Sequence, residues 1–115
     1  LVSLQTTTIS GVLVARLQGE LDHHAVEKIR EDIEQTVQQE GINRLVLSFA
    51  NIHFMDSSGI GLVLGRLRTI QALGGKMALC EVQNSLQKIF EMSGILKVLK
   101  LFPSEQEAIE YVRGE

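Results

Sequence analysis

The stretch Leu45-Val46-Leu47-Ser48-Phe49 is almost continuously apolar, without the alternation of a strand that wets one face. Such a strand belongs in the middle of a sheet, covered on both sides. The pattern then changes. Ile60, Val63, Leu64, Leu67 and Ile70 recur at i, i+3, i+4, i+7 and i+10, one face of a helix. Between the two runs lies Phe54-Met55-Asp56-Ser57-Ser58-Gly59. A buried strand that leads into a helix commits the chain to an α/β arrangement. The next strand is reached by a crossover and pairs in parallel.

The flanking segments agree. Val2 to Thr8 is Thr-rich and reads as an edge strand. Ile9-Ser10-Gly11 reads as a turn, and Val12 to Leu17 as the second arm of a hairpin. Gly19-Glu20-Leu21-Asp22 then leads to a helix with Val26, Ile29, Ile33 and Val37 on its apolar face, Asp22 as N-cap and Gly41 as its stop. Gly74-Gly75 closes the central helix, and Lys76 to Val82 is another strand. Asn84 is placed to cap a short helix that contains Leu86, Ile89 and Phe90 and ends at Gly94. Val98 to Phe102 reads as a last strand. A C-terminal helix follows, in which Ser104 and Glu107 have capping-box spacing. The order β-β-α-β-α-β-α-β-α predicts one α/β domain over 1–115, with a mixed sheet whose antiparallel edge is the opening hairpin.

Composition narrows the function classes. With 115 residues and a net charge of −3, the chain suits a single core and disfavours nucleic acid as main partner. Lys and Arg are scattered, and no apolar run reaches roughly 18 residues, so neither a membrane patch nor a span is expected. There is no signal-peptide pattern, and the single Cys80 cannot form an internal disulfide. The expected compartment is therefore the reducing cytoplasm.

Chemistry concentrates at the start of the central helix. Capping alone accounts for an Asp or a Ser there. Ser57 and Ser58, however, supply more hydroxyls than one cap needs, and Asp56 is placed to orient a hydroxyl or accept its proton. A phosphate on Ser57 would add roughly −1.5 to −2 charges where the helix dipole tolerates them, altering a partner's view more than the fold. Gly59, Gly61 and Gly65 are costly inside a helix. Gly61 and Gly65 share a stripe with Arg68 and Ala72 away from the apolar face. Either an internal neighbour packs closely there or a partner's backbone does. Glu20 and Asp22 end one strand as Asp56 follows another. Were these strands neighbours, Glu20, Asp22, Asp56 and Ser57 would form one surface at the carboxyl end of the sheet.

Other chemistries fare worse. Gly59-x-Gly61-x-x-x-Gly65, with Glu81 further on, has a distant likeness to a dinucleotide turn. Its spacing departs from the fingerprint, and Asp56 would repel a pyrophosphate. Adjacent His23 and His24 diverge, and His53 is remote in sequence, so no metal site is expected. No nucleophile has a suitable base nearby, so no enzyme and no cofactor are expected. Cys80, Phe90, Met92 and Ile95 read as packing residues, with an apolar rim near the last three as a possible aid to a partner.

Four segments together resemble the anti-anti-sigma factors of the STAS class, nearest to the sporulation anti-sigma factor antagonists of spore-forming bacilli. They are Leu17-Gln18-Gly19-Glu20-Leu21-Asp22-His23-His24, Phe54-Met55-Asp56-Ser57-Ser58-Gly59-Ile60-Gly61, Leu64-Gly65-Arg66 and Phe90-Glu91-Met92-Ser93-Gly94. The resemblance implies a mixed sheet with helices packed largely on one face. It implies a partner that is both anti-sigma factor and ATP-dependent serine kinase, bound by the unphosphorylated form so that sigma factor is released. Phosphorylation of Ser57 would end binding, and a serine phosphatase would restore it. Glu20, Asp22 and Asp56 match partner-facing positions, and Ser58, Gly59, Gly61 and Gly65 lie beside them. A general stress-response circuit is the alternative within the same family.

Overall fold

The computed structural model describes residues 2–114; Leu1 and Glu115, included in the expected span of 1–115, lie outside the described residues. The apolar run is the heart of β3 (Arg44–Met55), the middle strand of a five-stranded sheet ordered β1-β2-β3-β4-β5. β1 (Val2–Ile9) and β2 (Val12–Leu21) form an antiparallel hairpin in which Ile9 faces Val12. Its two-residue loop is made by Ser10 (φ 52°) and Gly11 (φ 79°), both in the left-handed region that a tight hairpin loop requires. β2, β3, β4 (Lys76–Cys80) and β5 (Leu101–Phe102) pair in parallel.

Each crossover moves one strand further in the same direction. Right-handed connections then place every intervening helix on the same face. That face carries α1 (Val26–Glu40), α2 (Ser57–Ala72) and α3 (Asn84–Ser93), packed over Leu13, Leu17, Leu45, Leu47, Phe49 and Leu79. α4 (Glu105–Arg113) folds back across the other face, where Ala108, Ile109 and Val112 cover Val12, Val14, Val46, Ala78 and Cys80. β3 is thus apolar on both faces because both are covered.

Six expectations need correction. β2 continues past Leu17 to Leu21 and β3 past Phe49 to Met55. Register shifts between Arg16 and Gln18 and between Gly19 and Glu20 break the alternation that would have revealed the longer β2. β4 stops at Cys80 because Glu81 takes a left-handed backbone (φ 60°). The expected strand from Val98 shrinks to Leu101–Phe102, after a 3-10 turn at Ile95–Lys97. Asp22 does not cap α1, whose N-cap is Ala25. Its carboxylate instead accepts the His24 and Ala25 amides (3.0 and 3.1 Å) and shapes the turn before the helix. Asn84 is the first residue of α3 rather than its cap, and Gln83 precedes it, donating its side-chain amide to the Ala50 and Ile52 carbonyls. Gly41 closes α1 in the left-handed conformation as expected, and Ser104 caps α4 by accepting the Glu107 amide.

Candidate functional site

The parallel register pairs Glu20 with Phe54 and Leu21 with Met55. The acidic end of β2 and the start of α2 are therefore neighbours, as the composite-surface expectation requires. The Asp56 amide donates to the Leu21 carbonyl at 3.4 Å, extending the pairing one step beyond the strands.

Asp56 is the N-cap of α2. Its Oδ1 accepts the Ser58 amide at 2.8 Å, and its main-chain carbonyl accepts the Gly59 amide at 3.0 Å. Its Oδ2 accepts the His23 amide at 3.2 Å, from the turn that joins β2 to α1. Partial desolvation pushes the Asp56 carboxyl up. The Ser58 amide, the Ser58 hydroxyl and the His23 amide outweigh it and hold the group below its ordinary value. With both oxygens accepting amides, this carboxylate is a poor general base.

The two serines differ. Ser57 is exposed, and its hydroxyl makes no hydrogen bond among the described residues. Ser58 is half-buried, with its amide committed to Asp56. Glu20 is exposed and Asp22 half-buried.

The three glycines divide as well. Gly59 is buried, and a methyl group on it would stand 2.3 Å from Met55 Cγ and 3.3 Å from Leu21 Cδ2. Internal fit accounts for it. Gly61 and Gly65 have nothing within 4 Å of an added Cβ, so no neighbour among the described residues packs closely on either glycine.

Beside Ser57 runs an open groove of about 730 Å³ between the start of α2 and α3. Phe54, Met55, Ile60, Leu86, Ile89 and Met92 supply its apolar wall, and Lys88 lies at its edge. Phe54 is 50% exposed and Met92 77%, so Met92 belongs to the solvent-facing apolar rim that was the alternative to packing. Phe90 and Ile95 are buried as expected, and Phe90 meets Phe49 edge-on with centroids 5.3 Å apart. Sequence reasoning missed the groove as a whole. The available signal was the Ile89/Met92 pair, an i, i+3 apolar stripe flanking the buried Leu86/Phe90 stripe of α3.

The remaining candidates carry less. The His23 and His24 rings lie 4.3 Å apart, tilted by 33°, so the two side chains do not diverge as expected but pack ring against ring in the turn before α1. Cys80 is buried on the α4 face, as expected of a core residue. No helix among the described residues is long and apolar enough to cross a membrane.

The family model described as the STAS domain matches residues 3–108 of this chain. The chain belongs to the STAS domain family. Within it, the chain is similar to the anti-sigma F factor antagonists of Paenibacillus polymyxa and Lysinibacillus sphaericus. The first is 40% identical over 99 residues, 86% of this chain and 85% of the relative. The second is 42% identical over 102 residues, 89% and 86% respectively. Among solved structures, the anti-sigma factor antagonist SpoIIAA in its unphosphorylated form matches 98% of this STAS chain and 100% of its own, at 38% identity and TM-score 0.75. The phosphorylated form from Bacillus matches 96% and 100%, at 40% identity and TM-score 0.75. The single domain, with its five-stranded mixed sheet and four helices, is the arrangement expected of this family.

Proposed function

We propose that this chain is an anti-anti-sigma factor whose STAS domain spans 1–115 and whose switch is Ser57. The unphosphorylated form binds an anti-sigma factor that is also a serine kinase, so that sigma factor is released. The kinase places phosphate on Ser57, and a serine phosphatase removes it. The single observation that carries this reading is the exposed, unbonded Ser57 hydroxyl on the first residue of α2, beside a Ser58 tied to Asp56. A kinase can reach the first hydroxyl without disturbing the cap, whereas modifying the second disrupts it.

The charge argument explains the off state. Phosphate brings roughly −1.5 to −2 charges onto a corner that already holds Glu20, Asp22 and Asp56. The N-terminal end of α2 tolerates that charge, so the fold persists while a partner surface shaped for neutral Ser57 meets repulsion and desolvation. The partner face comprises Glu20, Asp22, Asp56, Ser58, Gly61 and Gly65, with Gly59 giving the helix start its shape. The groove between α2 and α3 adds apolar area next to the switch. The protein acts by binding rather than catalysis, takes no cofactor, contacts neither nucleic acid nor membrane, and works in the cytoplasm.

Incubation with the kinase partner and ATP should add one phosphate, mapped to Ser57 by mass spectrometry. Ser57→Ala should stay unlabelled, and persistent labelling there would remove Ser57 as the site. Ser57→Asp should weaken partner binding by roughly tenfold or more, about 1.4 kcal/mol. Calorimetry that finds unchanged affinity would sink the charge mechanism.

A further inference from the structure

We propose that Asp56 is a positioning residue that locks the acidic β2–α1 corner to the phosphoacceptor corner, and not the base that takes the Ser57 proton. This rests on the anti-anti-sigma reading above and states how that site is held.

Each Asp56 oxygen is taken by a main-chain amide, and the two amides belong to segments far apart in sequence. Oδ1 accepts from Ser58 at 2.8 Å, on the helix that presents Ser57. Oδ2 accepts from His23 at 3.2 Å, in the turn that follows Asp22. Asp22 shapes that same turn through the His24 and Ala25 amides. Asp56 and Asp22 therefore act in series: one sets the turn, the other fastens it to α2. Main-chain pairing ends with the Asp56 amide on the Leu21 carbonyl at 3.4 Å, and the link from α2 to His23 in the turn is made by the Asp56 side chain. Capping alone would not require Asp. Ser, Asn and Asp cap comparably and need one acceptor, whereas this site needs two.

That requirement separates the roles experimentally. Asn at 56 has one acceptor oxygen and one NH2 group, so however the amide is turned, one main-chain donor loses its partner. With the oxygen on Ser58, the helix stays capped and the NH2 faces the His23 amide, donor against donor. Asp56→Ser keeps a capping oxygen but is too short to serve the second amide.

The test combines hydrogen exchange on the isolated protein with a double-mutant cycle on binding to the anti-sigma kinase. In both variants the His23 amide should exchange roughly tenfold faster while amides inside α2 keep their protection. Asp22→Ala should weaken kinase binding roughly tenfold in the wild type but threefold or less in Asp56→Asn, because the corner is already released. Phosphorylation of Asp56→Asn should show a raised KM with kcat within roughly twofold. Unchanged His23 exchange, an additive cycle, or a fall in kcat at constant KM would each overturn the proposal, the last by restoring Asp56 as a base. A wild-type protein that no such kinase binds would overturn the anti-anti-sigma reading instead, and the exchange measurement would still decide the lock.

Discussion

Ser57 and Ser58 are one position apart, and their surroundings assign them different work. Phosphate chemistry needs a hydroxyl that can leave its present contacts. Ser57 is exposed and has none to leave, while Ser58 is half-buried and its amide is held by Asp56. Asp56 itself should titrate below its ordinary value of 3.8. A carboxyl depressed in the folded state contributes stability that is present above its unfolded value and is lost as pH falls through the folded one. The helix start should therefore hold at neutral pH and loosen only below about pH 4. Following the His23 and Ser58 amide signals by NMR through an acid titration checks this, and a midpoint above 3.8 would contradict it. Cys80 moves the other way. Burial pushes its thiol up to about 12, offset in part by the Ser48 hydroxyl. A raised thiol keeps its proton in the folded state, so its contribution is present below the unfolded value and lost as pH rises toward 12. The thiolate is the nucleophile, so Cys80 should resist a thiol reagent at pH 8 in the folded protein and react promptly in urea. Rapid labelling of the native protein would show that the α4 face opens.

At the scale of the element, α2 joins a core-packing face to an open one. Ile60, Val63, Leu67 and Ile70 are buried against the sheet and its neighbouring helices, as their spacing predicted. Arg66, which that pattern leaves among polar positions, is buried too. Its guanidinium meets Glu34 of α1 at 2.9 Å and the Arg30 carbonyl at 3.4 Å, with Nε unpartnered among the described residues. Burial lowers the Arg66 pKa, and Glu34 partly compensates. The glycines of this helix supply the sharpest contrast. Gly59→Ala places a methyl against Met55, an overpacking cost of about 1–3 kcal/mol that exceeds the gain in helix propensity. Gly61→Ala and Gly65→Ala meet open space and should stabilise α2 by up to about 1 kcal/mol each. If the stripe lies under the partner, the same two changes should weaken kinase binding although the melting temperature rises. Thermal unfolding and calorimetry on the three variants separate these outcomes. A destabilised Gly61→Ala would mean that the open face is packed after all.

For the whole molecule, topology decides where Ser57 and the acidic residues sit. Three crossovers in one direction place α1, α2 and α3 on one face, leaving α4 to close the other, where Arg16 holds Glu105 through two hydrogen bonds of 2.7 and 2.9 Å. All three loops that follow β2, β3 and β4 leave from the same end of the sheet, and two of them carry the acidic residues and Ser57. The unphosphorylated and phosphorylated forms of SpoIIAA each match this chain at TM-score 0.75. The element order, the apolar centre of β3, the inner face of α2 and the Asp-Ser-Ser-Gly corner were legible in the residues alone. Each rests on a local signal: period, β propensity, or cap chemistry at a helix start. The full reach of β2 and β3 was hidden by bulges and by Asn51, His53 and Phe54 near a strand end, and the Asp22 turn was mistaken for a cap. The serine that stands free, the glycine that is packed, the second amide on Asp56 and the groove beside Phe54 and Met92 were decided only by tertiary structure. Each depends on what another segment brings within a few ångströms, and one-dimensional spacing does not carry that information.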